Sequence, residues 1–381
     1  MAEAAYIHIP FCEQICHYCD FNKFFLQNQP VDDYLQALRL EMKKAMEDQV
    51  LNEELKTIFI GGGTPTSLSA KQLDHLMESI HQTLPMQSVV EFTVECNPDQ
   101  LTMEKLSVLK NAGVNRLSIG VQAFQDSLLK KIGRTHNKET VFQAVERARS
   151  LGFENISIDL MYGLPGQMIE EWKETLSVAF SLEVQHMSAY SLIVEPKTVF
   201  YNLMRKGKLL LPSQEEEAFM YETVMNEMER HGYHQYELSN FARKGFESKH
   251  NLTYWHNNHY YGFGAGAHSY LDGIRRENAR PLKKYIEMIY KNNGTAFVSE
   301  NMLTKEEMME EEMFLGLRTI RGVSKKRFRD KYGLDVGEVF GSQIEEQLRK
   351  GLLSESASHL FLTRKGMLLG NEVFQAFLAV S

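Results

Sequence analysis

Short apolar runs recur along the first half of the chain, each followed by a segment with helical spacing of its apolar residues. Residues 5–9, 57–61, 89–94, 116–121, 155–160 and 186–192 read as strands. A helix is predicted over about 31–48, with Val31, Leu35, Leu38 and Met42 on one face. Ser69 caps a second that runs to about Leu84. Thr102 opens a third, with Leu106 and Leu109 inward and Gly113 at its end. Two more follow at about 138–151 and 169–182. Strand and helix thus alternate six times, at intervals of roughly 30 residues, which is the pattern of a parallel α/β sheet. Six such units can form an open doubly wound sheet or a curved partial barrel, and periodicity does not choose between them.

After Leu192 the pattern changes. A helix at about 213–231 carries Glu215, Glu216 and Glu217 in its first turn, where the helix dipole favours acids. Residues 232–273 are rich in Gly, His, Asn, Tyr and Phe, a composition that suits strands and functional loops better than helix. From about Thr304 the chain turns helical again. Short helices at 324–332 and 342–350, then a hairpin from Gly351 to Leu362, predict a small winged-helix-like C-terminal domain. The domain division that follows is 1–235, a connecting segment 236–300, and 301–381.

Composition narrows the function. The chain has 381 residues, long enough for a large domain and a smaller one. With 42 basic and 50 acidic residues its net charge is −8, which argues against a nucleic-acid partner bound by bulk charge, so the winged-helix-like segment is read as a packing or lid module. No apolar run approaches the length of a membrane span, and the first residues lack the basic and apolar regions of a signal peptide.

The chemistry begins at Tyr6-Ile7-His8-Ile9-Pro10-Phe11-Cys12-Glu13-Gln14-Ile15-Cys16-His17-Tyr18-Cys19. Three of the four cysteines lie within eight residues, spaced C-x3-C-x2-C. Three clustered thiolates cannot all pair as disulfides, so a metal site is the better reading. Thiolates favour zinc, with His17 as a possible fourth ligand, or an iron–sulfur cluster. A cubane held by three cysteines leaves one iron open for a substrate or cofactor. Such thiolates imply a reduced, cytoplasmic compartment. The remote Cys96 reads as a small buried hydrophobe.

Other candidates sit at strand ends. Gly61-Gly62-Gly63-Thr64 follows the second strand and exposes backbone N–H and C=O groups to a ligand. Glu95, Gln122, Arg134 and Asp159 lie at or near the third, fourth and fifth strands, where polar groups can converge on one pocket. A second distinctive stretch is His250-Asn251-Leu252-Thr253-Tyr254-Trp255, followed by the glycine-rich 262–270 with His268; imidazole is a common haem ligand and aromatics pack on porphyrin faces.

The cysteine spacing, with Tyr18 just before Cys19, resembles the signature of the radical S-adenosylmethionine (SAM) superfamily. That resemblance implies a partial (β/α)6 barrel with its site at the C-terminal ends of the strands. It also implies a [4Fe–4S] cluster on Cys12, Cys16 and Cys19, with SAM chelating the open iron. Gly62, Gly63 and Thr64 would meet the methionine end of SAM. Glu95, Gln122, Arg134, Asp159 and Tyr6 match further SAM contacts. Near full length, the chain is similar to the oxygen-independent coproporphyrinogen III dehydrogenases and their HemW haem-chaperone relatives. The dehydrogenases carry a fourth cysteine two residues beyond the third; here that position is Phe21, and only eleven residues precede Cys12. The chaperones carry H-N-x-x-Y-W, as here. The resemblance therefore implies a haem chaperone that binds haem, with His250 in contact, and passes it to an apo haem-protein acceptor. A respiratory acceptor would imply transient membrane association without a span of its own. The enzyme alternative is oxidative decarboxylation of coproporphyrinogen III.

Overall fold

The structure, a computed structural model, describes residues 2–47 and 54–378; residue 48, the last of the predicted first helix, and the termini of the predicted first and last domains lie outside these. The six predicted strands are present as β1 (Ala4–Ile9), β2 (Thr57–Gly62), β3 (Glu91–Cys96), β4 (Arg116–Gln122), β5 (Asn155–Tyr162) and β6 (His186–Ser191). They are parallel and neighbour one another in chain order. A doubly wound sheet reverses its order at a switch point, whereas a barrel adds each strand beside the last. The order therefore selects the partial barrel.

Helices α1 (Val31–Glu47), α2 (Ala70–Thr83), α3 (Met103–Asn111), α4 (Asp126–Lys131), α5 (Lys138–Ser150) and α6 (Ile169–Ser181) alternate with these strands. Ser69 caps α2 through a capping box with Gln72, and Thr102 caps α3 by accepting from the Lys105 amide. Along each strand one set of alternate residues packs outward among the apolar helix faces: Ile7 and Ile9, Ile58 and Ile60, Leu117 and Ile119, Ile156 and Ile158 belong to one core. The other set points inward and is mostly polar, yet equally buried: Glu91, Thr93, Arg116, Ser118, Ser157, His186 and Ser188. Barrel interiors are ordinarily filled by bulky apolar side chains. A buried polar interior costs desolvation and marks this as a barrel built to hold something.

Residues 234–302, two residues beyond the predicted connecting segment 236–300 at each end, extend the same sheet at both edges. Strands β7 (His234–Gln235) and β8 (Asn240–Ala242) continue it beyond β6, and β9 (Tyr260–Phe263), β10 (His268–Leu271), β11 (Ile274–Asn278) and β12 (Phe297–Met302) continue it beyond β1. The pairing of β9 with β1 is parallel. The stretch expected as strands and loops also contains a helix, Lys249–Trp255. It is short and aromatic, so its periodicity is weak. Ser248 caps it, and the buried Glu91 carboxylate at the start of β3 accepts from Ser248 Oγ (3.2 Å) and from the amides of Lys249 (2.8 Å) and His250 (3.0 Å). An anion at a helix N-terminus satisfies groups that have no partner within the helix.

The C-terminal segment has its own apolar core, including Met313, Phe328, Phe340, Leu360 and Phe374. Helices Lys305–Gly316, Lys325–Tyr332 and Val336–Arg349 pack with a three-stranded sheet of Val323–Ser324, Leu353–Glu355 and His359–Leu362. The helices and hairpin are those the sequence predicts, except that the helix expected over 342–350 begins at Val336 and kinks at Phe340.

Candidate functional site

The loop after β1 carries the cysteines across the C-terminal mouth of the barrel. Cys12, Cys16 and Cys19 are free thiols that line one cavity of about 140 Å³. Thr64 donates its hydroxyl to Cys12 Sγ at 3.6 Å, and Arg134 Nη1 donates to Cys16 Sγ at 3.6 Å. Lys23 folds back onto the Cys19 carbonyl. Burial pushes the Cys12 thiol up to about 11, against the Thr64 hydrogen bond, and burial also raises Cys19. Donors aimed at sulfur stabilise thiolate, and binding iron would displace the proton that burial favours.

His17 takes no part in this. Its Nδ1–H donates to the Lys131 carbonyl at 2.8 Å, and its ring lies over Gly133. Among the described residues no group of three or more His, Cys, Asp or Glu side chains converges as a single-ion centre. The three cysteines spread around a shared cavity, a donor set that fits a cluster rather than one zinc ion.

The glycine loop lies directly beneath. Gly62 has φ +112°, and a Cβ there would stand 2.3 Å from the His8 ring. At Gly63 a Cβ would stand 2.7 Å from the Phe11 carbonyl oxygen. These positions need glycine so that the loop can pack under the cysteine segment, while Gly62, Gly63 and Thr64 still line the cavity.

Glu95, Gln122, Arg134 and Asp159 line the same cavity, as do Asn97, Ser118 and Cys96. Glu95 Oε2 accepts from the Gly62 amide at 3.0 Å. Its carboxyl is pushed up to about 7, chiefly by burial and then by the nearby Asp159. Burial likewise raises Asp159, which accepts from Ser118 Oγ at 3.3 Å. Gln122 sits at φ +67°, where β4 loses register with β5. A non-glycine residue held there stores strain of about 1–3 kcal/mol, a cost seen mainly at functional positions. Arg134 is held by the Asn97 side chain (2.8 Å) and the Gly120 carbonyl. Asn97, Ser118, Gly120 and Lys23 are among the lining residues that sequence reading missed. Ser118 was findable, lying two residues before Gly120 on the inward face of β4.

Two predicted residues lie elsewhere. Tyr6 lines a second cavity, of about 450 Å³, together with His8, Phe21, Tyr254, Trp255 and Arg280. Phe21, largely exposed, lines both cavities. His8 donates from Nε2 to the Asn22 carbonyl (2.7 Å), so its Nδ1 accepts from the Tyr6 hydroxyl (2.9 Å). His250 does not border the cysteine cavity or this one. It is 1% exposed and stacked on Phe59, with Nδ1 on Thr57 Oγ1 and Nε2 on the Tyr254 hydroxyl, each at 2.8 Å. Burial pushes it down to about 3, so the ring is neutral. Both nitrogens are engaged, and direct contact with iron would require breaking one of these bonds.

Residues 6–179 match the radical SAM superfamily and residues 303–369 the HemN C-terminal domain. The chain is 59% identical over 377 residues to the heme chaperone HemW of Bacillus subtilis, covering 99% of each. It is 34% identical over 380 residues to the heme chaperone HemW of Escherichia coli, covering 98% of this chain and 97% of that one. A solved structure of coproporphyrinogen III oxidase (HemN) from Escherichia coli, a radical SAM enzyme, matches with TM-score 0.86 at 24% identity, covering 100% of this chain and 91% of that one. That last likeness speaks to fold alone.

Proposed function

Because this chain belongs to the HemW family of the radical SAM superfamily, we propose that it is a haem chaperone, which binds haem beside a [4Fe–4S] cluster and SAM and passes the haem to an apo haem-protein. The observation that carries this reading is the 59% identity, end to end, to a protein named as a heme chaperone. Cys12, Cys16 and Cys19 would hold the cluster, which when bound supplies an open iron and an electron for SAM. The chain's own groups do the rest. Thr64 and Arg134 donate to the sulfurs, and Gly62 and Gly63 offer backbone to the methionine end of SAM. Glu95 and Asp159 present carboxylates to its cationic groups. Arg134 has the fork that suits a carboxylate. Gln122 is held in place by the strained turn at the end of β4.

The acceptor is a haem-protein without its haem. Among the described residues no helix is long and apolar enough to cross a membrane, so a respiratory acceptor would be met at the membrane surface.

The competing reading is oxidative decarboxylation of coproporphyrinogen III. One experiment separates the two. Cluster-reconstituted protein is incubated anaerobically with SAM, reductant and coproporphyrinogen III, with an authentic dehydrogenase as control. In parallel, haem-loaded protein is mixed with an apo haem-protein and the Soret band is followed. The chaperone reading expects haem transfer and no product. Protoporphyrinogen formed over many turnovers would overturn it.

A further inference from the structure

We infer that Arg116 is a positioning residue for SAM: buried in the barrel one layer beneath the cysteine cavity, its guanidinium is the positive charge against which Glu95 and Asp159 present their carboxylates. This rests on the reading that SAM binds in that cavity. Arg116 opens β4 and is 2% exposed. Its neighbours in register are Thr93 on β3 and Asn155 on β5, and all three share the parity of the inward set. Two residues on along β4 the inward residue is Ser118. Ser118 lines the cavity, lies in register with Glu95 and donates to Asp159. A strand advances about 6–7 Å in two residues, a distance an arginine side chain spans.

Taking a cation out of water is costly unless an anion is in contact with it. Among the described residues Arg116 makes no ion pair, and its Nε is buried without a hydrogen-bond partner, as are Thr93 Oγ1 and Asn155 Oδ1 on either side. Packing alone would favour an apolar side chain in such a layer. The surrounding groups show what the charge serves. Glu91 on β3 already accepts from the N-terminus of the Lys249–Trp255 helix. Burial, and then Arg116, push His186 on β6 and His250 on that helix down, so both imidazoles stay neutral. Burial raises Tyr6, Tyr236, Tyr254 and the Cys96 thiol, which stay neutral as well. That leaves Glu95 and Asp159. Burial raises both carboxyls, and Asp159 adds to the rise at Glu95. Arg116 opposes it at each, alongside the Gly62 amide at Glu95 and the Ser188 hydroxyl at Asp159. Arg134, a second cation near Asp159, is tied to Cys16, Asn97 and Gly120. A contact ion pair would occupy the carboxylate oxygens. A cation held one layer below favours their charge through the low-dielectric interior and leaves the oxygens free for the cationic groups of SAM.

The test is anaerobic calorimetric titration of the cluster-reconstituted full chain with SAM from pH 6 to 9. Wild type is expected to bind more tightly as pH rises through a midpoint near 7. Arg116→Met should raise that midpoint by about one pH unit and weaken binding about fivefold at pH 7. Binding at pH 9 should be undiminished, because the carboxylates are then ionised in either chain. Titration of SAM itself is common to all chains and cancels in the comparison. Damage to the fold would instead weaken binding at every pH. Arg116→Lys, which keeps the charge, should keep the wild-type midpoint. If Arg116→Met does not fold, Arg116→Gln is read in the same way. An unmoved midpoint in the folded neutral variant, or a midpoint raised equally in Arg116→Lys, overturns the assignment and leaves the SAM reading standing. A wild type that binds no SAM overturns that reading, and the assignment with it.

Discussion

The two cavities that share Phe21 in their lining are built on different plans. The cysteine cavity draws on β2, β3, β4 and β5 and on two loops; its carboxylates Glu95 and Asp159 lie on strands, and its cations Lys23 and Arg134 on the loops. The aromatic cavity is closed by a helix and strands that return from more than 240 residues away to meet β1. In the first, the groups are held by short bonds between neighbouring strand ends: Gly62 to Glu95, Ser118 to Asp159, and Arg134 to Asn97 and Gly120. In the second, the support is one long-range chain of contacts: Glu91 to the helix N-terminus, Thr57 to His250, His250 to Tyr254. The first plan tolerates single losses, and the second does not.

The largest test of that contrast is Glu91→Ala. It leaves three donors at the helix N-terminus without their acceptor, one hydroxyl and two amides. The expected cost is about 3 kcal/mol, seen in denaturant melts. Amide hydrogen exchange in the helix Lys249–Trp255 should speed up, while iron and sulfide still load onto the cysteines. Loss of cluster loading as well would mean that the cavities do not stand apart.

Gly62→Ala should strike both cavities, because the new methyl group meets the His8 ring from a backbone at φ +112°. About 2 kcal/mol of destabilisation is expected from strain and crowding. Affinity for SAM and for haem should fall together.

A smaller effect separates two buried carboxyls. Glu95 lies in the cysteine cavity, and Glu41 lies under the loop that lines the aromatic one. Glu41 accepts from Tyr285 (2.6 Å), Asn278 (2.6 Å) and the Gly264 amide (2.8 Å). Burial pushes each to about 7, above the ordinary 4.5. Between those values the folded chain binds more protons than the unfolded one, so stability falls as pH rises through that window. Cationic SAM prefers ionised Glu95, so SAM affinity should rise from pH 6 to 8, by about 1 kcal/mol. Glu95→Gln should flatten the SAM profile. Glu41→Gln should make the stability curve shallower, with the share of Glu95 remaining, read by melting at each pH, and leave the SAM profile unchanged.

The smallest expected change in stability is that of Phe21→Ala, under about 0.5 kcal/mol at an exposed position. Its readout is the rate at which air bleaches the reconstituted cluster, which should rise when this aromatic cover of the cysteine cavity is removed.

The same contrast explains what could be read from sequence. The barrel was legible because each strand and its ligand-facing residue are adjacent in the chain, as Glu95 is to β3 and Asp159 to β5. Even there β3 begins at Glu91 rather than Val89, since Val89 closes a short turn and Val90 is exposed. The helix Lys249–Trp255 was missed because its seven residues are polar and aromatic, and its anchors lie far away in the chain. Ser248 was a cap signal that could have revealed it. The helix Leu282–Lys291 was likewise overlooked, although Leu282, Tyr285 and Ile289 share its buried face. The burial of His250 was not legible. Nothing near it in sequence announces Thr57 or Phe59, and without them an exposed histidine and a sealed one look alike.

The most direct test of the account is haem titration of a chain in which Cys12, Cys16 and Cys19 are all serine. The account predicts no iron–sulfur absorbance, haem affinity within about threefold of wild type, and the same ligand signature in the bound haem. Loss of haem binding in that variant, with the fold intact by circular dichroism, would contradict it and place the haem on the cysteines instead.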